Sequence, residues 1–149
     1  MSLADDAVEA RAQGWRTLAA LHARIEDGLE RALRREHALS VSEYGVLDVL
    51  ARQDGWHMRM TQLSNAVVLS QSATTRLVTR LEDRGLLQRY LCPTDRRGIY
   101  TEVTPAGHEL LSAARPTHDS ALSAALDAAE QLPELSPLVR ALATLGVTH

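Results

Sequence analysis

The chain of 149 residues contains no lysine, no phenylalanine and a single cysteine, Cys92. One thiol excludes an internal disulfide, which agrees with a cytoplasmic location. All 16 basic residues are arginine; that bias and the missing phenylalanine read as genomic composition rather than mechanism. No apolar run approaches the roughly 18 residues that a membrane helix needs. The opening stretch "MSLADDAVEARAQGW" is acidic and polar and does not read as a secretory signal. Also missing are a glycine-rich phosphate loop, a nucleophile elbow and a carboxylate pair in a recognisable setting, which argues against an enzyme. The histidines show none of the close helical spacings that bind zinc, so the sequence points to no metal and no cofactor.

What is present suits a globular, mainly α-helical chain: 45% of the residues are hydrophobic, and the length fits one domain carrying extra helices for assembly. Trp15, Leu18, Leu21, Ile25, Leu29 and Leu33 recur at spacings of three and four, one face of a long amphipathic helix over 7–37. A second helix follows, with Ser42 as its expected N-cap and Gly55 as its stop. "WHMRM" allows a brief strand, and "TQLSNAVV" a short helix capped by Thr61. The next helix starts at Ser70 and ends at Gly85, where a left-handed residue is needed; Leu86 then falls where a Schellman motif returns an apolar contact to Leu81. Two alternating runs around "PTDRRG" predict a β-hairpin with a loop of about four to six residues. Helix resumes at Pro105, with Pro116 expected to kink or break it near Arg115. A last helix is expected to be capped by Ser136, with Pro137 at its first position.

Charge is unevenly spread. Between Gln71 and Tyr100 six arginines face three acids, a net of +3, while the other ten arginines and sixteen acids make −6. A basic segment on an acidic body is expected where one face meets a polyanion. On a helical wheel with Arg76 at zero, Leu77, Leu81 and Val78 fall between about 100° and 200°, the buried stripe. Thr74 lands on that inner side. Ser72, Thr75, Arg76, Thr79 and Arg80 fall on the opposite side, and hydroxyls interleaved with arginine forks suit base edges and phosphates in a DNA major groove. Pro93, Asp95 and Gly98 are turn formers that push Arg96 and Arg97 to the tip of the hairpin.

Helix-turn-helix followed at once by an arginine-tipped hairpin describes a winged helix. On "RMTQLSNAVVLSQSATTRLVTRLEDRGLLQR" (59–89) and "DRRGIYTEVTPAGHEL" (95–110) the chain resembles the MarR family of transcriptional regulators. The resemblance implies a mainly α fold: a winged helix-turn-helix with a two-stranded β-wing over 38–104, flanked by dimerisation helices at 1–37 and 105–149. It implies a homodimer on a pseudo-palindromic double-stranded operator. The helix 71–84 would lie in the major groove, with Gln71, Ser72, Thr75 and Arg76 facing it, and the wing 93–98 would lie at the minor groove. Arg97 would be the wing arginine, with Asp95 orienting it and Arg96 toward phosphate or solvent. It further implies a repressor released by a small aromatic or anionic effector, for which Trp15, His22, Tyr44 and Trp56 are the candidate cleft residues. Two alternatives are a winged helix turned to protein–protein contact and a regulator responding to oxidation of Cys92.

Overall fold

The structure is a computed structural model that describes residues 2–92 and 95–146; the side chains of Cys92, Asp95, Arg96 and Arg97 lie outside that description. In chain order the elements are α1 (Leu3–His37), α2 (Val41–Ala51), a single 3₁₀ turn (Asp54–Trp56), β1 (His57–Arg59), α3 (Met60–Ala66), α4 (Gln71–Asp83), β2 (Leu87–Cys92), β3 (Asp95–Val103), α5 (Pro105–Glu130) and α6 (Ser136–Leu145). By compactness the chain divides into one unit of 33–117 and a second of 1–32 with 118–149.

The unit of 33–117 holds the helix-turn-helix and the wing. Its core gathers Leu33, Leu47, Leu50, Leu63, Val78 and Leu81, all fully buried. The cap of α2 is Ser40 rather than Ser42: the Ser40 hydroxyl accepts the Glu43 N–H at 3.0 Å, and the Glu43 carboxylate accepts the Ser40 N–H at 3.0 Å. Two orphan N–H groups are satisfied at once, which Ser42, one residue before the glutamate, cannot do. The helix closes at Ala51, and Gly55 does its work later, at φ 71° inside the 3₁₀ turn. Thr61 is likewise not a cap. The chain passes from β1 into α3 with no loop between them, so extended Arg59 takes the N-cap position and Gln62 accepts its N–H at 3.3 Å.

The hairpin is part of a three-stranded antiparallel sheet in the order β1-β3-β2, because the brief strand β1 pairs with β3 through Met58↔Thr101 and Arg59↔Tyr100. Pairing of β2 with β3 is regular from Leu87↔Val103 to Leu91↔Ile99 and shifts register before Cys92↔Asp95; the loop expected at the tip includes residues 93 and 94, outside the described residues.

Helix α5 continues through Pro116 rather than breaking there. The lost N–H is offset by anchors on either side: Arg115 reaches Asp48 at 3.3 Å, and the Thr117 hydroxyl donates to Glu36 Oε2 at 2.7 Å. That hydroxyl has one proton to give, so His37 Nε2, 2.8 Å away, must be the donor in its own contact with Thr117. The Thr117 hydrogen bond also holds the exposed Glu36 carboxyl below its ordinary pKa.

The second unit has its own small core of Leu21, Ala129, Leu135 and Val139. Helix α6 takes Leu135, not Ser136, at its N-cap position, because the Leu138 and Val139 N–H groups already bond the Leu135 carbonyl at 3.0 Å and the Leu135 side chain is needed in the core. Pro137 therefore stands one residue further into the helix. In this unit Val8, Trp15, Leu18 and Leu145 are large apolar side chains left exposed. Among the described residues, no helix is long and apolar enough to cross a membrane.

Candidate nucleic-acid interface

Helix α4 begins where Ser70, extended at ψ 158°, accepts the Ala73 N–H on its hydroxyl at 3.1 Å. It ends in a Schellman motif. Gly85 adopts φ 75°, the Leu86 N–H reaches the Leu81 carbonyl at 2.9 Å, and the Gly85 N–H reaches Glu82 at 2.8 Å. Thr104 locks this end to α5: its hydroxyl donates to the Gly85 carbonyl at 2.7 Å and accepts the Gly107 N–H at 3.1 Å. A Cβ at Gly107 would collide with the Leu86 carbonyl oxygen, so the "TPAG" stretch is a close-approach device that fixes the end of α4.

Between these ends the helix divides as the wheel requires. Leu77, Val78, Leu81 and Thr74 are buried. The Thr74 hydroxyl is satisfied within the helix by the Ser70 carbonyl at 2.9 Å, which is how a polar side chain sits in the core without a long-range partner. Gln71, Ser72, Thr75, Arg76, Thr79 and Arg80 are all exposed on the other side. Thr75 and Thr79 turn their hydroxyl protons onto the carbonyls of Gln71 and Thr75, at 2.8 and 2.9 Å, and the Thr79 oxygen in turn accepts from Arg89. Among the described residues, no ion pair or side-chain hydrogen bond occupies Arg76 or Arg80. Two like charges one turn apart, with no anion between them, make a site that an external anion relieves.

Arg84 and Arg89, which in the sequence carry no signal beyond charge, behave differently. Arg89 on β2 places Nε 2.6 Å from Glu82 Oε1 and donates from Nη2 to Thr79 Oγ1 at 3.2 Å. The Glu82 contact is an ion pair without an aligned N–H, since that oxygen has no hydrogen bond. Arg84 donates to the Ala38 carbonyl at 2.8 Å. Neither partner is near in sequence, so only the fold could reveal them.

The sheet adds a second group that no short-range sequence pattern signals. Tyr90 and Tyr100 stack with centroids 5.8 Å apart, the Tyr90 hydroxyl meets His57 Nδ1 at 2.7 Å, and Arg59 Nε donates to the Tyr100 hydroxyl at 3.2 Å. These side chains bind the brief strand β1 to the hairpin and stiffen the base of the wing. The wing residues Asp95, Arg96 and Arg97 start β3 opposite Cys92, and their side chains, like that of Cys92, lie outside the described residues.

The effector candidates are dispersed among different settings. Tyr44 is buried in the core of its unit. Trp56 is half-exposed, adopts φ 60°, and packs edge-on against His108 with centroids 4.3 Å apart. Trp15 and His22 lie two turns apart on α1, both exposed, with His22 Nε2 3.5 Å from Glu26. Among the described residues no group of three or more His, Cys, Asp or Glu side chains is placed to hold a metal ion.

Comparison with known proteins agrees with this geometry. Residues 38–98 match the sequence model of the MarR family. The HTH-type transcriptional regulator MhqR of Bacillus subtilis is 30% identical over 94 residues, 63% of this chain and 63% of that protein, so the match spans less than two thirds of that relative. Sco3205, a MarR family transcriptional regulator from Streptomyces coelicolor solved in complex with DNA, is 32% identical over 87% of this chain and 82% of its own, with a TM-score of 0.72. CouR from Rhodococcus jostii RHA1, solved with p-coumaroyl-CoA bound, is 30% identical over 70% of this chain and 71% of its own, with a TM-score of 0.63.

Proposed function

The chain belongs to the MarR family, and from that premise we propose that it is a sequence-specific double-stranded DNA-binding transcriptional regulator, a repressor released by a small-molecule effector. The observation that carries the reading is the exposed strip of α4. Six polar side chains, including two arginines without partners among the described residues, face outward while Thr74 is turned into the core. In the proposed complex this strip enters the major groove: Arg76 reads a base edge, and the threonine methyls meet thymine methyls or sugar edges. The wing reaches the minor groove, with Arg97 as its contact and Asp95 holding that guanidinium in one orientation.

A homodimer accompanies this reading. Val8, Trp15 and Leu18 on α1 and Leu145 on α6 are apolar surface that a second copy would cover. A two-fold pair sets two α4 helices about one DNA turn apart, so the operator is a pseudo-palindrome with half-site centres roughly 10 bp apart. The p-coumaroyl-CoA bound to CouR supports an effector of aromatic or anionic character for this chain.

The test is selection of bound fragments from the source genome, followed by mapping of the protected site. One enriched inverted repeat is the expected result. Equal recovery of all fragments would remove the claim of specificity, and sedimentation as a monomer at micromolar concentration would remove the dimer.

A further inference from the structure

The end of α4 carries an arginine that should, on composition alone, belong to the DNA-facing charge. Arg84 instead points back into its own unit. Its Nη1 donates to the Ala38 carbonyl at 2.8 Å and its Nη2 to the His37 carbonyl at 3.4 Å, contacts 46 and 47 residues away in sequence. These are the last carbonyls at the C-terminal end of α1, orphaned by the helix and carrying the negative end of its dipole. Ala38 adopts φ 54°, an uncommon state for a residue with a Cβ, which turns its carbonyl where the guanidinium takes it.

The third partner is Glu43. One carboxylate oxygen closes the cap of α2 on the Ser40 N–H, and the other lies 3.7 Å from Arg84 Nη1. Glu43 is buried, so its charge needs a cation nearby. One guanidinium therefore ties three ends together: the last turn of α1, the first turn of α2 and the last turn of α4. The planar fork suits this, because it serves two carbonyls and a carboxylate from fixed directions, which an ammonium cannot do.

We infer that Arg84 is a positioning residue for the recognition helix, fixing the angle at which α4 presents its exposed strip, and that it makes no DNA contact of its own. The inference rests on the DNA-binding reading above. It separates the cations of α4 into Arg76 and Arg80, which are left for the ligand, and Arg84, which is spent on the frame. Swinging Arg84 away toward a phosphate would give up its hydrogen bonds to the two carbonyls and draw the cation away from buried Glu43.

The experiment compares the wild type with Arg84→Met, Arg84→Lys and Glu43→Gln on the selected operator and on a mixed-sequence duplex, across a salt series, with melting curves in parallel. Arg84→Met is expected to weaken operator binding about ten-fold, the loss of roughly one base contact, while mixed-sequence binding changes less than about two-fold. The slope of log K against log salt should stay constant. Arg84→Lys should recover part of the operator affinity, and Glu43→Gln, which keeps the cap of α2 but removes the charge, should lose a smaller share. If Arg84→Met weakens both duplexes alike and flattens the slope by about 1.8, from about 0.9 per contact in each of two protomers, Arg84 is a phosphate contact and the inference is wrong. A lower melting temperature with an unchanged ratio of operator to mixed-sequence affinity would reduce Arg84 to a structural role and also overturn it. Should Arg84→Met fail to fold, the same ratio and slope are read from Arg84→Lys and Glu43→Gln. A wild type with no operator preference would refute the DNA-binding reading itself, before any variant is compared, and the inference would fall with it.

Discussion

The two ends of α4 are built on opposite plans. At the C-terminal end, Gly85, Thr104 and Gly107 interlock, Arg84 reaches back to α1 and Arg89 crosses from β2 to Glu82. At the N-terminal end a single side-chain cap, Ser70, holds the first turn. The turn before it passes through Val68, a β-branched residue at φ 56° that is almost fully exposed. Arg76 and Arg80, without partners among the described residues, lie between these ends. The difference teaches that rigidity is concentrated where the helix is held, and freedom where it meets its ligand; side chains already satisfied by the protein would have to be released before they could bind anything else.

The largest expected effect breaks the rigid end. Gly107→Ala forces a methyl against the Leu86 carbonyl oxygen, a backbone atom that cannot rotate away. The cost should be about 3 kcal/mol, and the melting temperature should fall by roughly 10 °C. A variant that melts with the wild type would mean that α4 and α5 do not approach as described.

Next is Arg76→Ala, which touches only the free strip. It should leave the melting temperature alone, because the side chain has no partner among the described residues, yet cost about 1–3 kcal/mol of operator binding. Together the two substitutions separate stability from recognition on one helix. A destabilised Arg76 variant would blur that separation.

Smaller effects sharpen it. Val68→Gly removes a left-handed β-branched residue, and the relief of strain should outweigh the added freedom of the unfolded chain, for a gain of about 0.5 kcal/mol by denaturant titration. Destabilisation would show that the Val68 side chain packs despite its exposure. Thr74→Val deletes a hydrogen bond contained within α4 and keeps the shape, so stability should stay within about 1 kcal/mol. A larger loss would assign the Thr74 hydroxyl a partner beyond the Ser70 carbonyl.

What could be read from the sequence followed the local physics. The wheel of α4, the left-handed Gly85 and the strand alternation around the wing are set by residues within a few positions of each other, and each stands as expected. The N-cap at Ser40 is equally local, since Ser40 and Glu43 have the capping-box spacing, which Ser42 lacks. The other departures come from contacts distant in sequence. Pro116 does not end α5 because Asp48 and Glu36 anchor its neighbours, and the brief strand becomes part of a sheet because β3 supplies its edge. At the interface, side-chain type and period identified the outward face of α4, but could not tell Arg76 from Arg84. Both are arginines in one basic segment, and only the return of the chain at Ala38 gives the second one a partner.

The central claim, that one side of α4 reads DNA while the other side packs, is tested most directly by two substitutions two residues apart. Base preference at each operator position is measured for Arg76→Ala and Thr74→Val by sequencing what each variant selects from randomised half-sites. Arg76→Ala should relax preference at one position in each half-site, and Thr74→Val should select the wild-type sequence. A shifted preference in the Thr74 variant, with none in the Arg76 variant, would contradict the claim.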